Sequence, residues 1–194
     1  RVAACGVITN IGASTLTINY GSNYNVSAAS GGKVGHCQPV VLVDSVSSVN
    51  IYGSGIVNGR WQKQYDVEAV WHAVEALEFG SGIAVIRSTD CKVLGTPLLT
   101  LRHALLHNVV FSGGSWAGTQ INGEIGQLDS GYAHDKNVLC ATTDGMYVHD
   151  IEAHHSVFED GVIFYLSNVN MTINDINAHD NARGSVTILS NGDC

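Results

Sequence analysis

Carboxylates beside glycine are the first residues in this chain whose type and spacing could do chemistry. Asp160 is followed by Gly161 and a run of β-branched and aromatic residues, and Glu159 stands directly before it. Asp144 precedes Gly145, 16 positions before Asp160. Two carboxyls held roughly 6.5–9.5 Å apart can divide the hydrolysis of an acetal between them. One, kept protonated, serves the leaving oxygen, while the other, ionised, activates water. Mutual repulsion separates their pKa values and so assigns the roles. On this reading Asp160 is the general acid, with Asp144 or Glu159 as base. Asp180 is a further carboxylate nearby. Arg183 has the fork geometry to pair with a substrate carboxylate. The alternative role for each of these residues is a plain solvated turn.

Histidine is the second chemical signal. The chain has nine, and His149, His154, His155 and His179 gather near Asp150, Asp175 and Asp180. Neutral imidazoles with carboxylates can hold a transition metal. No tight motif such as His-Glu-x-x-His is present, so the histidines are read as a polar outer face, with His155 counted as a substrate contact. The aspartates would permit calcium, but no signature for it is visible. The expectation is therefore no metal and no cofactor. Trp61, Trp71 and Trp116 offer faces for pyranose CH groups, or else serve packing. Trp116 lies in the loop-like Gly113-Gly-Ser-Trp-Ala-Gly and ranks first for surface recognition.

The elements that must position these residues show as repeats. Met146-Tyr-Val-His-Asp-Ile-Glu-Ala-His-His matches Met171-Thr-Ile-Asn-Asp-Ile-Asn-Ala-His-Asp at an offset of 25. Gly161-Val-Ile-Phe-Tyr-Leu-Ser-Asn matches Gly184-Ser-Val-Thr-Ile-Leu-Ser-Asn at an offset of 23, and Leu105-Leu-His-Asn-Val-Val-Phe is a weaker copy. One coil of a parallel β-helix takes roughly 20–30 residues, and equivalent side chains stack about 4.8 Å apart. The expected fold is all-β, a right-handed parallel β-helix forming a single domain over 1–194, with 1–40 as an N-terminal cap. Ile151 should lie over Ile176 and Ala153 over Ala178, facing inward. Glu152, Asn177, His154 and His179 should face outward, and Asn168 over Asn191 should form an amide ladder. Strand-like runs occur at Ser14–Tyr20, Val40–Val43, Val49–Tyr52 and Ile83–Ile86, whereas Trp71 to Phe79 suits a short helix. The rival fold is an antiparallel β-sandwich. It would place Asn-Gly turns between paired strands, which Asn58-Gly, Asn122-Gly and Asn191-Gly do not do.

Composition narrows the partners. The 194 residues are 45% hydrophobic and carry 17 acidic side chains against nine Lys and Arg, a formal charge of −8. That argues against nucleic acid, which needs dense basic residues. It also weakens general affinity for a polyanion, though a local basic groove would still bind an acidic sugar. No apolar run approaches the ~20 residues of a membrane span. The opening at Arg1 reads as a mature or trimmed product. Asn25-Val-Ser and Asn170-Met-Thr are glycosylation sequons. Five cysteines, Cys5, Cys37, Cys91, Cys140 and Cys194, include no CxxC pair and suit disulfides in a secreted, extracellular chain. At least one must be left over. Connectivity is open, with Cys5–Cys37 the first choice because both lie in the capping stretch.

Val49-Asn-Ile-Tyr-Gly-Ser-Gly-Ile-Val-Asn-Gly-Arg-Trp resembles the early segment of polygalacturonases, members of the pectin-lyase-like superfamily. Thr142-Thr-Asp-Gly, Glu159-Asp-Gly and Ala182-Arg-Gly are similar to that family's Asn-Thr-Asp-Gly, Asp-Asp and Gly-His-Gly motifs. The resemblance spans residues 40–190 loosely. It departs at Thr142 for Asn, Glu159 for Asp and Arg183 for His, and no Arg-x-Lys follows. It implies a secreted, carbohydrate-active β-helix that hydrolyses a plant or extracellular polysaccharide by paired carboxylates. The alternative is a non-catalytic solenoid, either glycan-binding or a filament subunit that self-associates through its β-helix ends.

Overall fold

Short β-branched runs bounded by Gly, Asn, Ser and Asp favour extended segments over helix. Strands are what the chain forms. A computed structural model describes residues 8–11, 16–18, 39–59, 80–113 and 120–189. Two compact units divide the chain, residues 1–37 with 65–74 and residues 38–64 with 75–194. In the first, β1 (Ile8–Ile11) pairs antiparallel with β2 (Leu16–Ile18). Cys5, Cys37, Cys194, Asn25, Trp61, Trp71, Trp116, Asn191 and the segment 71–79 lie outside the described residues.

The second unit is a parallel β-helix. One sheet stacks β3 (Val41–Asp44), β6 (Ile83–Ile86), β8 (His107–Ser112), β10 (Lys136–Ala141), β12 (Val162–Tyr165) and β14 (Val186–Leu189). The other stacks β4 (Asn50–Gly53), β7 (Thr89–Arg102), β9 (Gln120–Gly131), β11 (Thr143–His154) and β13 (Thr172–His179), with β5 (Ile56–Asn58) also beside β7. No helix occurs among the described residues. The repeats stack in the expected register, with Ile151 paired to Ile176 and Ala153 to Ala178 in parallel.

The interior follows from that register. Val85, Phe111, Cys140 and Phe164 form one inward column; Leu99, Leu128 and Ile151 form another. Each such large apolar side chain contributes about 1.5–3 kcal/mol on burial. The column also corrects part of the disulfide expectation, because Cys91 and Cys140 are free and buried. Cys140 is fully enclosed between phenylalanines, and burial pushes its thiol up to about 12. Cys91 is registered opposite Gly123 in the other sheet. Both act as small core residues.

Corners recur at equivalent positions. Residues with positive φ fall in columns: Gln127, Asp150 and Asp175 midway along the second sheet, and His103, Tyr132, His155 and Asp180 just past its strands. Coil follows coil at these left-handed residues, which bend the chain without a long loop. Buried amides tie the coils together at the corner that returns to the first sheet. Asn108 donates to Asn137 (3.0 Å), and Asn137 donates to Asn181 (3.1 Å). Gly161 stands in that row because a Cβ there would meet the Asn181 amide.

The middle strands of the first sheet, β6, β8, β10 and β12, are buried on both faces. Ala84, Ile86, Val110, Leu139, Ala141 and Ile163 form a second enclosed apolar cluster on its outer side. The second sheet is different: its outer positions are polar and accessible along β9, β11 and β13.

Candidate active site

The carboxylates singled out from the sequence are dispersed. Asp160 is buried, and its Oδ1 accepts hydrogen bonds from the Gly184 amide (2.7 Å) and the Thr187 hydroxyl (3.0 Å). It fastens one coil to the next. Glu159 accepts both hydrogen bonds of Arg183, at 2.9 and 2.7 Å. Asp144 accepts from the Asn170 amide at 2.8 Å. It follows β10, whereas Asp160 precedes β12, the strand paired with β10. A strand roughly 10 Å long therefore separates their ends. Asp144 and Asp160 thus stand at opposite ends of this strand pair, and the Arg183 guanidinium binds Glu159.

His155 and Asp180 do come together, at neighbouring positions of one corner column. Around them the outer face of the second sheet gathers Glu152, His154 and His179, which the sequence reading placed outward, with Asp129, His103 and Tyr132, which it did not single out. Asp129 on β9 is registered opposite Glu152 on β11, and His154 opposite His179 on β13. Tyr132 stacks between His103 (ring centres 5.4 Å apart) and His155 (4.9 Å).

A repeated device sets the imidazoles. Gly131 lies opposite His154, and a Cβ there would come within 2.4 Å of the ring. The missing side chain lets His154 lie across β9 and bring Nε2 to Asp129 Oδ1 at 3.0 Å. Gly126 does the same for His149, whose Nε2 reaches Glu124 Oε1 at 3.1 Å. Each carboxylate also holds a cation from β7: Arg102 on Asp129 (2.5 Å) and Lys92 on Glu124 (2.6 Å). Burial raises the Asp129 carboxyl, but hydrogen bonds from Arg102 and His154 outweigh it and hold the group below its ordinary value. Glu124 is lowered by the same balance, with Lys92 and His149 as donors.

His179, registered opposite His154 and not a glycine, has a carboxylate on both sides, as His149 has in Glu124 and Asp150. The His179 Nε2 meets Glu152 Oε1 at 2.6 Å and its Nδ1 meets Asp180 Oδ2 at 2.9 Å. Asp180 and Glu152 together raise the imidazole above its usual value. Hydrogen bonds from His179 and Asn177 lower Glu152, and that from His179 lowers Asp180. Ionised carboxylates only accept, so both ring nitrogens donate and the ring favours the imidazolium.

One sequence signal would have found this face. A carboxylate two residues before glycine, Glu124-Ile-Gly or Asp129-Ser-Gly, is followed 25 positions later by histidine, at His149 and His154.

The fold and face define a β-solenoid with a titratable outer surface. No family model matches the sequence, and no curated protein matches it. Among solved structures it is similar to a protein of Parabacteroides merdae that carries a provisional glycosyl hydrolase description. The identity is 13% and the TM-score 0.34, over 81% of this chain and 64% of that one. This chain thus spans less than two thirds of that protein's length.

Proposed function

We propose that the protein is a carbohydrate-active β-solenoid that binds a polysaccharide across the outer face of β9, β11 and β13 and hydrolyses it. The observation that carries this reading is the Glu152–His179–Asp180 clamp, an exposed imidazolium held between two ionised carboxylates. It supplies the proton that a departing sugar oxygen needs, and the ionised carboxylates favour the ring's reprotonation by a water molecule after transfer. The paired carboxylates of the pectin-lyase-like resemblance keep a role here, moved from Asp144 and Asp160 to Glu152 and Asp180. Such a substrate suits an extracellular setting, and Asn170, exposed at a corner, is an acceptor for glycosylation there.

The test is reducing-end release from neutral polysaccharides and from polygalacturonate. His179→Gln should lower turnover by about 10²–10⁴-fold, and wild-type turnover should decline as pH rises through the His179 pKa. Absence of turnover on every glycan defeats the hydrolase. A second reading is glycan binding without catalysis, supported by the polar, accessible outer positions of β9, β11 and β13.

A further inference from the structure

A second chain of hydrogen bonds crosses the same face and ends on a nitrogen that has no partner among the described residues. Arg102 on β7 binds Asp129 on β9 through Oδ2 at 2.5 Å. Asp129 Oδ1 takes His154 Nε2 on β11 at 3.0 Å. His154 Nδ1 then faces His155 Nδ1 at 2.8 Å. His155 is exposed, and it turns at positive φ, which brings its ring alongside its neighbour's.

Hydrogen-bond logic fixes the protons along this chain. Asp129, ionised by its donors, can only accept, so His154 Nε2 carries a hydrogen. With both rings uncharged, His154 Nδ1 is then a lone pair. The 2.8 Å contact needs one donor, so the hydrogen must come from His155 Nδ1. That leaves the lone pair of His155 on Nε2, facing solvent. Tyr132 on one side of the ring at 4.9 Å and the edge of His179 at 6.2 Å fix its plane.

We infer that His155 Nε2 is the proton acceptor of this face, and that Arg102, Asp129 and His154 are positioning residues that set its tautomer. The role in turnover rests on the hydrolase reading above. A water molecule gives a proton to His155 Nε2 while its oxygen bonds to the anomeric carbon. The bond from that carbon to the glycosidic oxygen breaks, and the leaving oxygen takes a proton from His179. The added charge need not stay on His155. Its Nδ1 hydrogen can pass to His154 Nδ1, which puts the imidazolium against the Asp129 carboxylate. The charged and titratable groups around the acceptor are Arg102 and His103 from β7 and the corner after it, Asp129 and Tyr132 from β9 and its corner, Glu152 and His154 from β11, and His179 and Asp180 from β13 and its corner. The acceptor and donor rings stand edge to face with centres 6.2 Å apart, so a sugar would lie across the two rings and not between them.

The experiment is nitrogen-15 NMR of the imidazoles in the whole chain, with kinetics alongside. In the wild type with both rings neutral, His154 should carry its hydrogen on Nε2 and His155 on Nδ1. Asp129→Asn can turn an amide donor toward His154 Nε2, and both tautomers should then reverse, leaving His155 Nε2 protonated. Asp129→Glu should restore the wild-type pattern. His155→Gln and Asp129→Asn should each lower kcat by about 10²–10⁴-fold. A hydrogen on His155 Nε2 in the wild type, or no reversal in Asp129→Asn, overturns the inference even in an active enzyme. The expected tautomers in a protein that turns over no glycan support the relay and defeat the hydrolase reading instead.

Discussion

Gly131→Ala tests the way the strands aim an imidazole, using one methyl group. The new Cβ would stand 2.4 Å from His154 Cε1. Ordinary contact needs about 3.4–4 Å, so the ring must swing outward by 1 Å or more. The strand cannot move instead, because Ser130 and Leu128 beside it are enclosed. Swinging the ring breaks the 3.0 Å bond to Asp129. A hydrogen bond to a charged group contributes about 1.5–3 kcal/mol, and partial exposure favours the low end. Replacing glycine in a strand returns roughly 0.5–1 kcal/mol of chain entropy. The net expectation is a loss of about 1 kcal/mol, or a Tm lower by about 2–4 °C. Denaturant melts of wild type, Gly131→Ala and Gly131→Ala/His154→Ala measure it. The double variant should recover the glycine-to-alanine gain, since no ring is left to displace. A single variant as stable as wild type, with the His154 nitrogen signals unchanged, would refute the reasoning.

Asp160→Ala should destabilise by about 2–4 kcal/mol, because the Gly184 amide and Thr187 hydroxyl lose a charged acceptor, while Asp160→Asn keeps an oxygen in place and should cost less; urea melts compare them, and turnover should be spared in Asp160→Asn. Cys91 and Cys140 should resist alkylation in the folded protein and react in denaturant without reductant, as mass spectrometry will show. His107 is fully buried, and burial, then the charge of Lys136, holds its imidazole well below its ordinary value. The unfolded chain therefore binds the extra proton, so stability should be full above about pH 6.5 and fall as pH drops below it, with a shallower fall in His107→Gln.

The sequence made the solenoid legible because the two repeats around Ile151 and Ile176 fall in one register and have the same inward alternation. The strand runs at Val40–Val43, Val49–Tyr52 and Ile83–Ile86 were equally readable, since β-branched residues between turn residues need no tertiary information. The site was harder to see. Asp160-Gly has the local form of a catalytic turn, yet its carboxylate binds the next coil through Gly184 and Thr187, partners more than 20 positions away. Asp129 carries no local mark of function. Its importance comes from Arg102 on the preceding coil and His154 on the following one, so only the stacking register exposes it. Cys140 likewise looks like a disulfide half until the register places it between two phenylalanines.

The most direct measurement is a backbone and imidazole NMR titration with neutral and acidic oligosaccharides of increasing length. The account predicts saturable shifts at Tyr132, His154, His155 and His179, with Asp144, Glu159 and Asp160 unaffected. Shifts centred on Asp144 or on the Glu159–Arg183 corner, or none with any oligosaccharide, would contradict it.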